Sequence, residues 1–390
     1  MPGLIVPDLK TMVSELIRLP SVSSTLPQFD QSNLEVIHTL ANWLEPLGFA
    51  IRILPIAGRP GKANLIATRG SGRDGLVLSG HTDTVPLDAN LWSSEPFTLT
   101  EKNDRWYGLG SCDMKSFFAL IITALEPFLD KHFNRPLTII ATADEESSMS
   151  GARALTAADV CGARYAVIGE PTELQPVYKH KGIMMLSLNI QGASGHSSNP
   201  ALGANAIDGS AIAIEQLLKF RQELGERYQD PGFTVQTPTL NLGCIHGGDN
   251  PNRICDHVDL AFDVRVLPGM DNTNIMDEIE TRLTPLLADQ GLSMRLGLFH
   301  EPLPPFQTEG DVLLKATSEL TGCEPKTVAF ATEAPFLARL GMETVVLGPG
   351  SIDQAHQPNE FVELRQLQPT VVILRGLIAR HCCAELTPGT

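Results

Sequence analysis

The sequence predicts an α/β protein of two domains. The larger has a mixed, largely parallel sheet flanked by helices, and the smaller is an inserted α+β unit of β-α-β-β-α-β order. Three observations predict this. The chain has 390 residues, more than the roughly 250–300 that one hydrophobic core usually serves. Short apolar runs alternate with helical periodicity in both outer parts of the chain. Between them, from about His180, the pattern changes to alternating strands and two long helices.

Residues 8–18 and 31–46 read as amphipathic helices, the second from the spacing of Leu34, Ile37, Leu40, Ala41 and Leu44. Apolar runs bounded by turn residues follow at 64–68, 76–79, 137–143 and 166–168, with a helix over 115–125. Runs separated by helices suggest a sheet covered on both faces. In the middle of the chain, 183–190, 239–245, 258–266 and 293–298 read as strands, and 204–228 and 274–287 as helices. That order is ferredoxin-like. The segment Glu301-Pro302-Leu303-Pro304-Pro305 reads as a stiff return linker, after which helix and buried-strand character resumes. The expected domains are therefore 1–179 with 300–390, and an inserted 180–299. No repeat or low-complexity tract interrupts them.

Hydrophobic residues make up 43% of the chain and charged residues 19%, which supports real cores and excludes a disordered chain. The 29 basic against 45 acidic residues leave a net charge of −16. That field argues against nucleic acid or anionic membrane as partners. It also means that a substrate carboxylate must be met by specific local cations. Seven scattered cysteines without a C-x-x-C pair fit a reducing compartment rather than a disulfide framework. The opening Met-Pro-Gly-Leu-Ile-Val-Pro-Asp lacks a basic region and is cut by prolines, so it does not read as a secretory signal. The apolar stretch 117–129 is interrupted by Glu126 and Pro127 and is too short to span a bilayer. A soluble, cytoplasmic protein is expected.

The chemistry lies where apolar strands end. The run from Leu76 delivers His81 and then Asp83, which alone reads more simply as a core histidine beside a turn aspartate. Asp113, in a glycine-punctuated loop before Met114 and Lys115, reads equally as a helix cap or a metal-bridging carboxylate. The run from Leu137 ends in Asp144, Glu145 and Glu146, three consecutive acids that repel one another unless cations neutralise them. A strand ending at Ile168 leads to Glu170, and a glycine- and proline-shaped loop near the C-terminus carries His356. Together these two histidines and several carboxylates form a hard N/O donor set. It suits a centre of two zinc ions, or cobalt or manganese, without a thiolate. Donors at strand ends also match where open α/β sheets place their sites.

The order His-x-Asp, Asp-Met-Lys, Asp-Glu-Glu, Gly-Glu-Pro-Thr and a distal His resembles the aminoacylase, acetylornithine deacetylase and succinyl-diaminopimelate desuccinylase family of dizinc metallohydrolases. The likeness covers nearly the whole chain and extends to Gly195-His-Ser-Ser, Asn252-Arg-Ile-Cys and Ala331-Thr-Glu-Ala-Pro-Phe, segments like those of its acetylornithine deacetylase branch. The resemblance implies that His81 and Glu170 bind one metal, Glu146 and His356 the other, and Asp113 bridges them. It implies Glu145 as general base, Asp83 as the group orienting His81, and His196 as oxyanion donor from a partner subunit. Asn252, Arg253 and Arg265 would face the substrate from the inserted domain, which would serve as lid and homodimer interface. The implied reaction removes the acetyl group from N2-acetyl-L-ornithine, a step of arginine biosynthesis. A desuccinylase, a broad aminoacylase or a dipeptidase of the same family are the alternatives, and a non-catalytic metal-dependent binding protein is the alternative from another class. One departure from the pattern is Ser116, where the family usually has glycine.

Overall fold

The computed structural model describes residues 6–383. Most of the opening segment read as no secretory signal, and the last seven residues of the expected larger domain, lie outside the described residues. The chain divides into two compact units. The first takes the chain up to Tyr178, then Thr308–Lys326 and the chain from Thr332 onward; the second holds Lys179–Gln307 and Thr327–Ala331.

The first unit is a mixed sheet between helices. Its strands run in the order Ala50–Pro55, Ala63–Arg69, Leu137–Thr142, Leu76–His81, Tyr165–Ile168 and Glu343–Val346. The four consecutive strands from Leu137–Thr142 to Glu343–Val346 are parallel. Their C-terminal ends therefore share one edge, which positions everything that follows. These strands are uniformly buried, as expected of a parallel sheet covered on both sides. Helix Lys115–Ala124 lies almost wholly inside the core and packs against Leu9–Arg18 and Leu364–Ile378. Asp8 caps the first of these helices, its carboxylate accepting the Thr11 backbone N–H.

The second unit is a four-stranded antiparallel sheet in the order Thr239–Gly247, His257–Val266, Gly182–Gln191 and Ser293–Leu298. Helices Ala206–Arg227 and Asn272–Ala288 pack on the face carrying Met184, Leu186, Leu188, Val264, Phe262 and Leu260. Sequence periodicity missed a two-stranded ribbon, Gly195–His196 with Arg253–Ile254, because two-residue strands have no periodicity to read. The proline-rich segment is not a free linker: Leu303 exchanges both backbone hydrogen bonds with Ile183, and Phe306 pairs with His180. Those pairings carry the second unit on to Gln307.

His180 is fully buried in this unit, its Nδ1 donating to the Lys181 carbonyl at 2.8 Å. Burial pulls its pKa down from 6.5 to about 4. The unfolded chain thus accepts a proton that the folded one refuses, so stability is full above about pH 6.5 and declines as pH falls toward 4. We predict that His180→Gln flattens this decline by up to about 1.4 kcal/mol per pH unit. A pH series of thermal unfolding on both proteins checks it.

Candidate metal centre

The shared edge of the parallel strands collects the predicted donors. His81 is the last residue of strand Leu76–His81, and the acidic triplet begins two residues beyond strand Leu137–Thr142. Glu170 lies two residues beyond Tyr165–Ile168, and His356 lies on the loop after Glu343–Val346. Two of these strand ends need glycine. A side chain at Gly80 would sit 2.3 Å from the Met114 methyl, and one at Gly169 would sit 2.1 Å from the Phe117 ring. The start of helix Lys115–Ala124, with Met114 before it, therefore lies directly against the backbone just before His81 and Glu170.

Six of the predicted side chains converge. His81, Asp113 and Glu170 bring donor atoms within 4.8 Å of one another, as do Asp113, Glu146 and His356. Asp113 is common to both groups. His81 Nε2 lies 2.9 Å from Asp113 Oδ1 and 3.8 Å from Glu170 Oε1. His356 Nε2 lies 2.9 Å from Glu146 Oε2 and 3.7 Å from Asp113 Oδ2. His81, Glu145 and Glu146 form a third group. His81, Asp113 and Glu170 are buried, whereas His356 is half exposed.

The donor set fits divalent cations. All the donors are imidazole nitrogens or carboxylate oxygens, the set that zinc, cobalt and manganese accept. Glu170 Oε1 is buried without a hydrogen-bond partner, an orphan that a cation would satisfy. Burial pushes Glu145 and Glu170 well above the usual carboxylate range, and neighbouring carboxylates push further, Glu170 on Glu145 and Asp113 on Glu170. Burial acts to lower His81, but the Asp113 carboxylate together with the charges of Glu170 and Glu145 outweighs it and holds the imidazole well above its ordinary value. Crowded acids of this kind are relieved by positive charge at their centre.

Comparison with known proteins agrees with this geometry. A profile described as Peptidase family M20/M25/M40 matches residues 77–380. The chain belongs to this peptidase family. It is 46% identical over 380 residues to an acetylornithine deacetylase of Proteus mirabilis, covering 97% of this chain and 98% of that one. It is 43% identical over 378 residues to one of Pasteurella multocida, covering 97% and 99%. Among solved structures, its fold resembles aminopeptidase PepT from Bacillus cereus with a TM-score of 0.77 at 20% identity, covering 96% of this chain and 99% of that one. It also resembles a dinuclear metal-binding M20 peptidase from Bacillus subtilis, with a TM-score of 0.67 at 16% identity over 95% and 96% of the two chains. The chain is a metal-binding hydrolase of the M20 family.

Two residues that support this M20-family site, Lys62 and Glu360, escaped sequence reasoning. Asp144, first of the acidic triplet, is not among the grouped donors. Lys62 Nζ reaches it at 2.7 Å inside the core, and the Ser23 and Ser150 hydroxyls donate to it as well. Lys62 also holds Asp30. Burial acts to lower the Lys62 pKa, but hydrogen bonds to Asp144 and Asp30 leave it raised. Glu360 is buried beneath the Asp113 loop and accepts the backbone N–H groups of Gly110, Cys112 and Asp113. Burial raises its pKa to about 8. No local pattern marks either residue, since both act through contacts distant in sequence. Asp83 holds His81 through its backbone carbonyl, 2.9 Å from Nδ1, while its carboxylate takes the N–H groups of Glu145 and Glu146. The Ser116 hydroxyl is buried and donates to the Ser111 carbonyl at 2.7 Å.

The remaining predicted residues lie in the second unit. His196 is exposed and pairs across the short ribbon with Arg253; its Nδ1 takes the Ser198 hydroxyl at 2.7 Å. Arg253 is engaged by the Ser194 hydroxyl and Asp249. The carbonyl of Asn252 accepts the Ser197 N–H. Arg265 stands apart from this ribbon, on strand His257–Val266 opposite Thr239, with its Nε donating to Asp263.

Two predictions follow from the supporting residues. Lys62→Met strands the buried Asp144 charge and should lower stability by about 3–5 kcal/mol, measurable by denaturant unfolding. Glu360→Ala releases the backbone under Asp113 and should weaken metal affinity about 10–100-fold, read by metal-buffer titration.

Proposed function

We propose that the chain hydrolyses N2-acetyl-L-ornithine to L-ornithine and acetate, with His81 and Glu170 holding one divalent ion, Glu146 and His356 the other, and Asp113 bridging them. Zinc is the first choice of metal, with cobalt or manganese as alternatives. The observation that carries the reading is the sharing of Asp113 between two donor groups, in a chain whose near-full-length relatives are named acetylornithine deacetylase. When bound, such a pair of ions polarises an amide carbonyl and lowers the pKa of water to about 7.

The chain's own residues supply the rest. Glu145 accepts the proton of the attacking water and returns it to the leaving nitrogen. Its burial beside Glu146 and Glu170 favours that proton-carrying role. Asp83 fixes His81 through the backbone carbonyl and the Glu145–Glu146 turn through its carboxylate. His196 donates to the oxyanion from a second copy of the chain. Asn252 and Arg253, or Arg265, meet the substrate's α-carboxylate, Arg253 and Arg265 being able to do so with two parallel N–H donors. In this reading residues 180–299 form the lid and the interface of a cytoplasmic homodimer, and 1–179 with 300–390 form the catalytic domain. The substrate is a small acylated amino acid, and no helix among the described residues is long and apolar enough to cross a membrane.

The test is turnover of N2-acetyl-L-ornithine by zinc-loaded protein beside N-succinyl-diaminopimelate and a panel of acylated amino acids. Acetylornithine should be cleaved preferentially; cleavage of the succinyl substrate with acetylornithine left intact sinks the assignment. Chelators should abolish activity. Glu145→Ala should lower kcat about 10²–10⁴-fold with bound metal unchanged.

A further inference from the structure

The segment Ala331-Thr-Glu-Ala-Pro-Phe places a carboxyl group, that of Glu333, in the interior of the first unit, where the residue is 1% exposed. Glu333 directly precedes helix Ala334–Arg339, yet its side chain does not cap it. Neither carboxyl oxygen has a hydrogen-bond partner; the nearby Thr142 hydroxyl donates to the Gly80 carbonyl instead. A buried carboxyl left this way must keep its proton or be met by positive charge.

The fold sets Glu333 at the edge that carries the donors. Helix Ala334–Arg339 packs against strand Glu343–Val346, which follows it after the turn Leu340–Met342, and against helix Ser150–Ala154, which follows the acidic triplet. A helix joined to a strand by so short a turn runs back along it, so its first residue lies where the parallel strands end. Thr142, the last residue of its strand, is accordingly a neighbour of Glu333. Even so, Glu333 is in none of the three donor groups at that edge.

Burial pushes the Glu333 carboxyl up to about 7, restrained by Thr142 and His81 and raised further by Asp83. Its charge in turn pushes Glu145 and Glu170 upward. Other charges on the elements packed here have contacts of their own. Arg153 and Arg339 lie over the Phe336 ring, and Glu343, at the opposite end of its strand, accepts the Leu313 and Leu314 N–H groups.

We propose that Glu333 is a further carboxylate of the metal centre, one that touches no ion but gives up its proton as the ions enter and then holds them by its charge. This role presupposes ions held by His81, Glu170, Glu146, His356 and Asp113, and is independent of which acylated amino acid is cleaved. Without ions the edge is crowded with acids, and Glu333 stays neutral. Two divalent cations reverse the local sign, and poor solvation then strengthens their attraction for the anion. The O–H bond breaks with its electron pair left on the carboxylate oxygen, and the proton passes to solvent. At low pH Glu333 is neutral with or without ions and contributes nothing; above about 7 it contributes its full charge.

The test uses Zn²⁺ alone and no substrate. Metal-free full-length protein and its neutral isostere Glu333→Gln, with the fold checked by circular dichroism, are titrated from pH 5 to 8, and released protons are counted with a pH indicator. Wild-type protein should bind Zn²⁺ about tenfold more tightly at pH 8, the difference closing toward pH 5, and release about half a proton more at pH 6.5. Glu333→Asp, which keeps the charge, should keep the wild-type pH dependence. Equal affinities at pH 8, a difference that is the same at every pH, or equal proton counts overturns the proposal. Unchanged Zn²⁺ affinity in His81→Ala overturns the ion assignment instead, and the role of Glu333 with it.

Discussion

The structure depends on how it neutralises carboxylates where apolar strands end. Charges of one sign cannot gather in a poorly solvated site unless each is given a partner. The chain divides the task in three ways. Asp144 is met by the buried Lys62, Asp83 and Glu360 by backbone N–H groups, and Asp113, Glu146 and Glu170 are left gathered around imidazoles. Only the last set keeps oxygens in reach of an ion, and Glu170 keeps one without a hydrogen-bond partner. Structural and functional acids are thus separated by what already satisfies them.

That separation follows from the parallel sheet. Four adjacent strands deliver their ends to the same edge, so residues far apart in sequence meet without long loops. The helix after Asp113 supplies the other wall. It is buried along nearly its whole length, and its close approach excludes any side chain larger than hydrogen at Gly80 and Gly169. Packing of the core and placement of the donors are one problem here, since moving the helix would move Asp113 relative to both His81 and Glu170.

Much of this was legible in the sequence, and the remainder was illegible for physical reasons. Apolar runs ending in His81, Asp144–Glu146 and Glu170 announce strand ends with chemistry, and residues 183–298 carry enough periodicity to show their six main elements. Lys62 reads as an ordinary surface lysine, because its partners Asp30 and Asp144 lie 32 and 82 residues away. Glu360 is four residues past His356 and looks like part of the same loop, whereas its contacts are with residues 110–113. Asp83 holds the His81 ring through its backbone carbonyl, with its carboxylate further off, a distinction that residue type cannot reveal.

The placement of strand Glu343–Val346 beside Tyr165–Ile168 has a consequence for biosynthesis. The ribosome makes these neighbours far apart in time, and the sheet's parallel core closes only when the later one emerges. The four antiparallel strands and two helices of the second unit are complete well before that moment and have a core of their own. A nascent chain therefore holds a finished small unit while the larger sheet still lacks its neighbour, exposing apolar strand edges of the kind chaperones shield.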